Sequence, residues 1–511
     1  MAKSVSLSTV LSRAPDGLSA PLVRVEVHLG DGIPAFFIVG LPETVVRESK
    51  ERVRSAILSC GYAFPSRRIT VNLAPADLPK EGGRFDLPIA IGILAADGHL
   101  PEAALRDREF YGELSLTGEL RETSRLLPAL MAGEASGHEL VIPHANGVEG
   151  GLVASPRVRL ARSLRQVCRC LNLNEAMPAA PISQPRRAAD EAAPDLADIR
   201  GQLAAKRALE IAAAGAHALL LIGPPGAGKT MLAQCLPALL PPLEAHEMLQ
   251  VAAVTSAAGL RPTAGAGRPF RTPQHTATAA ALIGGGLRLR PGEFSLAHRG
   301  VLFLDEILEF SRDALEALRE PMESGVVMLS RAKRVLELPA QFQLIAAMNP
   351  CPCGYQGDPR RACRCSAEQV RRYRGKLSGP LIDRIDMHLE MGALPPQDLL
   401  KDLHQHGEPS AVVALRVAQA RERQITRQGK LNARLNVREL AAFCQLDRGT
   451  KNLLAAAIAR LGLSARGCDR VLKLARSCAD LSGSDVLRTE HVAEAIGLRA
   501  LDRIQPESLR G

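Results

Sequence analysis

The chain of 511 residues contains no tryptophan and only four tyrosines. Nucleic-acid bases stack on aromatic rings, so a stacking platform is not on offer, and any DNA or RNA contact should fall mainly on phosphates. No apolar run approaches the ~20 residues that a membrane-spanning helix requires. The first residues, Met-Ala-Lys-Ser-Val-Ser-Leu, lack the apolar core of a secretion signal. The expectation is therefore a cytoplasmic chain. Its eleven cysteines are scattered apart from one cluster, and in such a compartment they read as thiols or metal ligands rather than disulfides. Acidic residues are in deficit: 54 Asp and Glu stand against 64 Lys and Arg, a net charge of +10. That balance favours an acidic partner, nucleic acid being the commonest, although a basic surface without a partner gives the same number.

The length is too great for one core, so two to four domains are expected. In the first 173 residues, Val23, Val25, Val27 and Leu29 alternate with polar neighbours, as in a half-buried strand. Residues 33–39 and 68–73 read as further strands, and 44–57 and 87–96 as helices, giving an α+β domain. Residues 174–197 are rich in Ala, Pro and charge and read as an exposed linker. Strands and helices alternate over 198–395, the pattern of a parallel α/β sheet. Residues 396–511 read as a helical domain.

Residues Gly223-Pro224-Pro225-Gly226-Ala227-Gly228-Lys229-Thr230 form a complete phosphate-binding loop. The apolar run 218–222 precedes it and a helical stretch, 231–240, follows. Glycines let backbone N–H groups close on phosphates, and the helix N-terminus adds its dipole. Lys229 reaches the β- and γ-phosphates, and Thr230 offers a hydroxyl to Mg²⁺. About eighty residues on, the apolar run 301–304 ends in Asp305-Glu306. There an acid can hold the Mg²⁺ sphere and its neighbour can orient the attacking water. A second apolar run, 343–348, ends in Asn349, an amide within reach of a γ-phosphate.

Together these motifs resemble the AAA+ ATPases, with Asp305-Glu306 as the Walker B pair and Asn349 as sensor 1. The segment 198–202 with 205–210 resembles the element that contacts the nucleotide base, which implies roles for Ile199 and Gly201. The stretches 271–275, 283–286, 291–300 and 378–386 resemble the magnesium-chelatase-like branch, and the whole chain resembles the YifB/ComM family. Gln274-His275 stands where that family usually carries two histidines. The resemblance implies that Arg384 is a finger reaching a neighbouring subunit's γ-phosphate and that Arg466 is sensor 2. A guanidinium suits both roles, because it stays charged and spreads charge over a planar fork.

Residues 1–170 resemble the Lon/S5-like domain at the front of this family. In Pro79-Lys80-Glu81-Gly82-Gly83-Arg84-Phe85-Asp86, Arg84 occupies the position of the Lon nucleophile, and no lysine follows Gly112–Glu119 as far as Leu130. A Ser/Lys protease needs a hydroxyl with a base beside it, so the domain reads as protease-inactive, an interaction or assembly module.

Two further clusters carry candidate chemistry. Cys351, Cys353, Cys363 and Cys365 form two C-x-C pairs directly after Asn349, enough thiolates for a tetrahedral structural zinc site, or alternatively four reduced thiols in a surface loop. Between the Walker B and sensor 1 strands, two β-prone runs flank Ser330-Arg331-Ala332-Lys333-Arg334. In related ring ATPases such a hairpin points into the pore, which would set Arg331, Lys333 and Arg334 against a phosphate backbone. The expectation is thus an ATP-hydrolysing ring, a hexamer, that uses Mg²⁺ and acts on single-stranded or branched DNA. The family resemblance implies branch migration during recombination of transforming DNA. A chelatase motor subunit and a regulatory ring acting on a protein partner are the alternatives.

Overall fold

Alternation in Leu22–Gly30 is borne out in the sheet it builds: Val23, Val25 and Val27 are fully buried, and Leu29 is nearly so. The computed structural model describes residues 6–41, 43–182, 194–263, 267–286, 289–331, 334–393, 407–499 and 501. They form two compact units.

The first unit carries a seven-stranded mixed sheet, in the order Ala35–Val39, Arg68–Ala74, Leu22–Gly30, Ser6–Arg13, Arg108–Phe110, Glu139–Pro143, Val158–Ala161. Helix Asp86–Ala96 lies on it, buried at almost every position. Gly92 makes the close approach possible: a Cβ there would stand 2.6 Å from Val27 Cγ2. Arg84 is 3% exposed, and its Nη2 donates to the carbonyls of Ser124 and Arg125. Burial, followed by the nearby charge of Arg125, pulls the Arg84 pKa down to about 10.

Within residues 174–182, part of the stretch read as an exposed linker, Met177 and Ala180 are buried while the others are exposed. Ala180 donates to the Val158 carbonyl at 2.9 Å, and Leu160 to that of Pro178 at 2.7 Å. The segment extends the sheet edge at Val158–Ala161, and its apolar side chains win over its loop-like composition. The unit also takes residues from far along the chain: 245–266 and 287–291 cluster with 1–188. Helix Ala245–Ala257 buries Ala252 and Ala253 against Leu127. Its Ser256 hydroxyl donates to Glu149 Oε1 at 2.6 Å and accepts from the Leu127 amide at 3.2 Å.

The second unit is built on five parallel strands, ordered Phe270–Arg271, Val301–Leu304, Gln343–Met348, Leu219–Ile222, Met387–Glu390. Their near-continuous apolar sequences suit a parallel sheet covered on both faces. Leu219, Leu220, Leu221 and all of Val301–Leu304 are fully buried. Helix Leu203–Gly215 and the C-terminal helices Ser410–Gln428, Arg448–Leu461, Ala465–Leu481 and Thr489–Gly497 share one core with this sheet, through residues such as Leu209, Val417, Leu454, Leu474 and Val492. The mixed α/β architecture, with a β-rich N-terminal unit, a parallel-sheet core and C-terminal helices, is the one the sequence implies.

The helix expected at 231–240 is broken into Lys229–Gln234 and Leu236–Leu239. Pro237 explains the second start, since proline fits the first turn of a helix and disrupts an interior. The hairpin is present: Val326–Arg331 pairs antiparallel with Arg334–Pro339, with Arg331 opposite Arg334. Lys333 and the side chains of Arg331 and Arg334 lie outside the described residues. No helix among the described residues is long and apolar enough to cross a membrane.

Candidate nucleotide site

Three adjacent strands deliver the site. Leu219–Ile222 runs beside Gln343–Met348, which runs beside Val301–Leu304, all in one direction. Their C-terminal ends therefore bring Gly223, Asn349 and Asp305 to one edge of the sheet, where open α/β sheets bind ligands. Gly223 donates to the Met348 carbonyl at 3.1 Å, which fixes the start of the loop. Gly226 and Gly228 take φ of 79° and 87°, a left-handed backbone that costs glycine nothing. Gly228 caps helix Lys229–Gln234, so the loop turns directly into the positive end of a helix dipole.

Lys229 is 9% exposed. Its Nζ donates to the carbonyls of Gly223 (2.7 Å) and Pro224 (3.0 Å) and to Asn349 Oδ1 (3.2 Å). Burial lowers its pKa, opposed by the charges of Asp305 and Glu306. Thr230 Oγ1 donates to Asp305 Oδ2 at 2.8 Å. These two oxygens fit a Mg²⁺ ion, a hard cation that takes oxygen ligands, often retains water and completes its sphere from phosphates.

Glu306 follows with φ of 50°, unusual for a residue other than glycine. A left-handed φ in a non-glycine residue costs about 1–3 kcal/mol and clusters at functional sites. It turns Glu306 out of the strand, leaving its carboxylate half-exposed with Oε2 4.0 Å from His275 Nδ1. His275 thus stands beside the acid expected to orient the attacking water. Ile199 is buried and Gly201 has φ of 55°. The next residue, Gln202, ties this element to the loop through Nε2, which donates to the carbonyls of Ala227 (3.3 Å) and Gly392 (2.8 Å). Gln202 was not singled out in the sequence; its place beside Gly201 was the available signal.

Two arginines are not brought to the loop. Arg384 pairs with Glu323 at 2.6 Å and donates to the Pro380 carbonyl at 2.8 Å; its Nε is buried and has no hydrogen-bond partner among the described residues. Arg466 is exposed on the first turn of helix Ala465–Leu481, capped by Ser464, and makes no hydrogen bond or ion pair among the described residues.

Sequence reasoning missed the residue two positions beyond Arg384. Asp386 accepts from Ala218 N at 3.0 Å and His217 Nδ1 at 3.3 Å, and it pairs with Arg470 on helix Ala465–Leu481. Burial pushes its carboxyl up. The Arg470 charge and the His217 bond outweigh burial and hold it well below the usual range. Arg384, Asp386, Lys430, Arg434, Arg470 and Lys473 line a single cavity of about 620 Å³.

The four cysteines converge. Cys351 Sγ lies 3.4 Å from Cys353 Sγ and 3.6 Å from Cys363 Sγ, and Cys353 and Cys363 are 3.6 Å apart. All four sulfurs fall within 4.8 Å of one another. The Cys353 thiol is pulled down to about 6, first by the backbone N–H of Arg364 and then by that of Tyr355.

Comparison with known proteins agrees with this geometry. The family "Magnesium chelatase, subunit ChlI" matches residues 195–399, "Subunit ChlI of Mg-chelatase" matches 25–146, and "Magnesium chelatase, subunit ChlI C-terminal" matches 407–499. Competence protein ComM of Haemophilus influenzae is 48% identical over 506 residues, covering 98% of this chain and 99% of the relative. The YifB proteins of Salmonella typhimurium and Escherichia coli are each 47% identical, covering 98% of both chains. With its phosphate loop, Walker B acids and sensor asparagine gathered at the edge of a five-stranded parallel sheet, the chain belongs to the YifB/ComM family of magnesium-chelatase-like AAA+ proteins.

Proposed function

We propose that the protein is an ATP-hydrolysing ring motor, a hexamer, that moves on DNA and migrates branches during recombination of transforming DNA. The observation that carries the hydrolytic part is the convergence of Lys229, Thr230, Asp305, Glu306 and Asn349 at adjacent strand ends. Thr230 and Asp305 would hold a Mg²⁺ ion, which would supply neutralisation of charge on the β- and γ-phosphates. The chain does the rest. Lys229 leaves the carbonyls of Gly223 and Pro224 to hold the phosphates. Glu306 accepts a hydrogen bond from the attacking water and aligns it with phosphorus. Asn349 donates its amide to the γ-phosphate. Ile199 and Gly201 bound the base.

In a ring, Arg384 exchanges Glu323 for the neighbour's γ-phosphate, and Arg466 approaches the phosphates as the C-terminal helices close. The Glu323 side chain is 58% exposed and can return to water, while that of Arg384 is 10% exposed and gains the phosphate in its place. Four thiolates, Cys351, Cys353, Cys363 and Cys365, hold a structural zinc.

The DNA part rests on the +10 charge, the basic tip Arg331, Lys333 and Arg334, and the competence role in the name of the Haemophilus influenzae relative. Phosphate release by the purified full chain, with and without single-stranded and forked DNA, tests the reading. Basal turnover that rises with DNA supports it. Turnover indifferent to DNA, together with no DNA binding at low salt, overturns the DNA motor and leaves an ATPase acting on a protein partner.

A further inference from the structure

The cysteine cluster lies against the nucleotide site, with Cys351 buried and Cys353, Cys363 and Cys365 half-buried. Zinc–thiolate bonds of ~2.3 Å place tetrahedral sulfurs about 3.8 Å apart. The spacings of 3.4, 3.6 and 3.6 Å are close to that edge. Two backbone amides already turn toward sulfur: Cys353 N donates to Cys365 Sγ and Cys365 N to Cys363 Sγ, each at 3.4 Å. Such donors are what thiolate charge requires.

The loop between the pairs is tied internally. Gly354 donates to the Cys351 carbonyl at 2.9 Å, and Arg361 stacks on the Tyr355 ring while bonding its hydroxyl at 2.8 Å. Arg374, on helix Ala367–Arg374, donates to the Pro350 carbonyl at 3.0 Å and to Gln356 at 3.2 Å. The other side of the loop touches catalytic machinery. Cys351, which is fully buried, is two residues beyond Asn349. A Cβ on Gly354 would stand 2.7 Å from Pro225 Cδ in the phosphate loop and 3.9 Å from Asn349 Cγ.

We infer that the four thiolates hold one zinc ion whose knot is a positioning clamp, pinning Asn349 to the strand end and bracing Pro225, so that metal occupancy governs ATP turnover rather than nucleotide affinity. The inference rests on the ATPase reading above. Binding releases the thiol protons to solvent and leaves every sulfur at its reduced oxidation level. Without the ion, four sulfurs this close repel as thiolates or relax as thiols, and Asn349 loses its anchor two residues away. Lys229 keeps its own strand and helix, so the phosphates are still held.

The test uses the full chain, purified reduced and without chelator. Metal analysis should give close to one zinc per chain, and cobalt exchange should produce the visible bands of a tetrahedral thiolate site. Stripping the wild type with a chelator, and separately the pair Cys363→Ser with Cys365→Ser, should leave fluorescent-nucleotide affinity within about twofold while kcat falls at least about tenfold, the scale expected when a supporting interaction is removed. Zinc should restore the stripped wild type and not the double variant. The double variant spares the buried Cys351, and the stripped wild type reports even if that variant fails to fold. A zinc content near zero in folded, reduced protein overturns the metal site. Full zinc with undiminished turnover after stripping overturns the clamp and spares the ATPase reading. Nucleotide affinity that falls in step with kcat overturns the positioning role, and a zinc-loaded chain that never hydrolyses ATP overturns the ATPase reading instead.

Discussion

Asp386→Asn removes one negative charge from a junction of three elements while keeping the side chain's shape. The carboxylate joins the head of the phosphate-loop strand, through Ala218 and His217, to Arg470 on helix Ala465–Leu481. An asparagine oxygen still accepts from Ala218, but it cannot neutralise Arg470. Removing one partner of a buried pair costs about 3–5 kcal/mol. The Arg470 side chain is 20% exposed, so water recovers part of that; about 2–3 kcal/mol is the working figure. At ~2–4 °C per kcal/mol for a domain of this size, unfolding should move down by about 6 °C.

The sign of the pH dependence follows from the depressed pKa. Asp386 is ionised in the folded chain at pH values where the unfolded chain takes up a proton. Its contribution is therefore complete above the ordinary value of 3.8 and is lost as pH falls through the lower folded value. His217, Arg470, Lys473 and Arg499 are charged or titratable groups around it, and Arg384, Lys430 and Arg434 line the same cavity. Far-ultraviolet circular dichroism is the assay, since no tryptophan is present to report. The transition of the second unit is the one that nucleotide shifts upward. The gap between wild type and variant should hold from about pH 7 to about 4.5 and narrow only below that. A shift under about 1 °C at neutral pH, against the several degrees expected, refutes the reasoning. So does a gap that closes near pH 6.5, the range in which histidine titrates.

Lys229→Ala should impair ATP binding, whereas Glu306→Gln should bind ATP normally and stall hydrolysis; steady-state phosphate release and nucleotide titration separate the two, and normal turnover in Glu306→Gln would falsify that role. Arg384→Ala should bind ATP, hydrolyse it poorly, and regain some activity when mixed with Glu306→Gln chains, because a mixed ring contains interfaces with both residues intact. Demonstrably mixed rings with no recovery would contradict the action in trans. Alanine at Arg331, Lys333 and Arg334 together should weaken DNA binding with basal turnover spared, lowering the log–log salt slope by ~0.7–0.9 for each phosphate that is no longer neutralised. Fluorescence anisotropy across a salt series measures it, and an unchanged slope moves the DNA site elsewhere.

The phosphate loop, the Walker acids and the hairpin were legible because each is a local pattern: apolar runs that must be buried, then residue types whose spacing the chemistry dictates. The fold class followed from the same alternation. Contacts between distant segments were not legible. Asp386 reaches Arg470 across 84 positions and His217 across 169, and nothing in its immediate neighbours marks it as a junction. Met177 and Ala180 were hidden by prolines that read as linker, although their burial follows from the edge strand beside them. Residues 245–257 fell inside the 198–395 stretch read as one α/β region, and their place in the first unit was not legible, because only tertiary packing decides which core an apolar helix joins.

Neither unit of this protein is a contiguous length of chain. A fragment begun near residue 194 to isolate the ATPase would carry helix Ala245–Ala257 away from Leu127, bare its buried Ala252 and Ala253, and leave Ser256 without Glu149. The complementary fragment, ended near residue 182, would lose the same helix from its own surface. Each would expose apolar area the whole protein covers, so self-association of either piece would report the cut and not an assembly of the whole chain. The same interlacing bears on descent: the front unit cannot be lost by deletion of the N-terminus, nor donated to another protein, without damaging what stays behind.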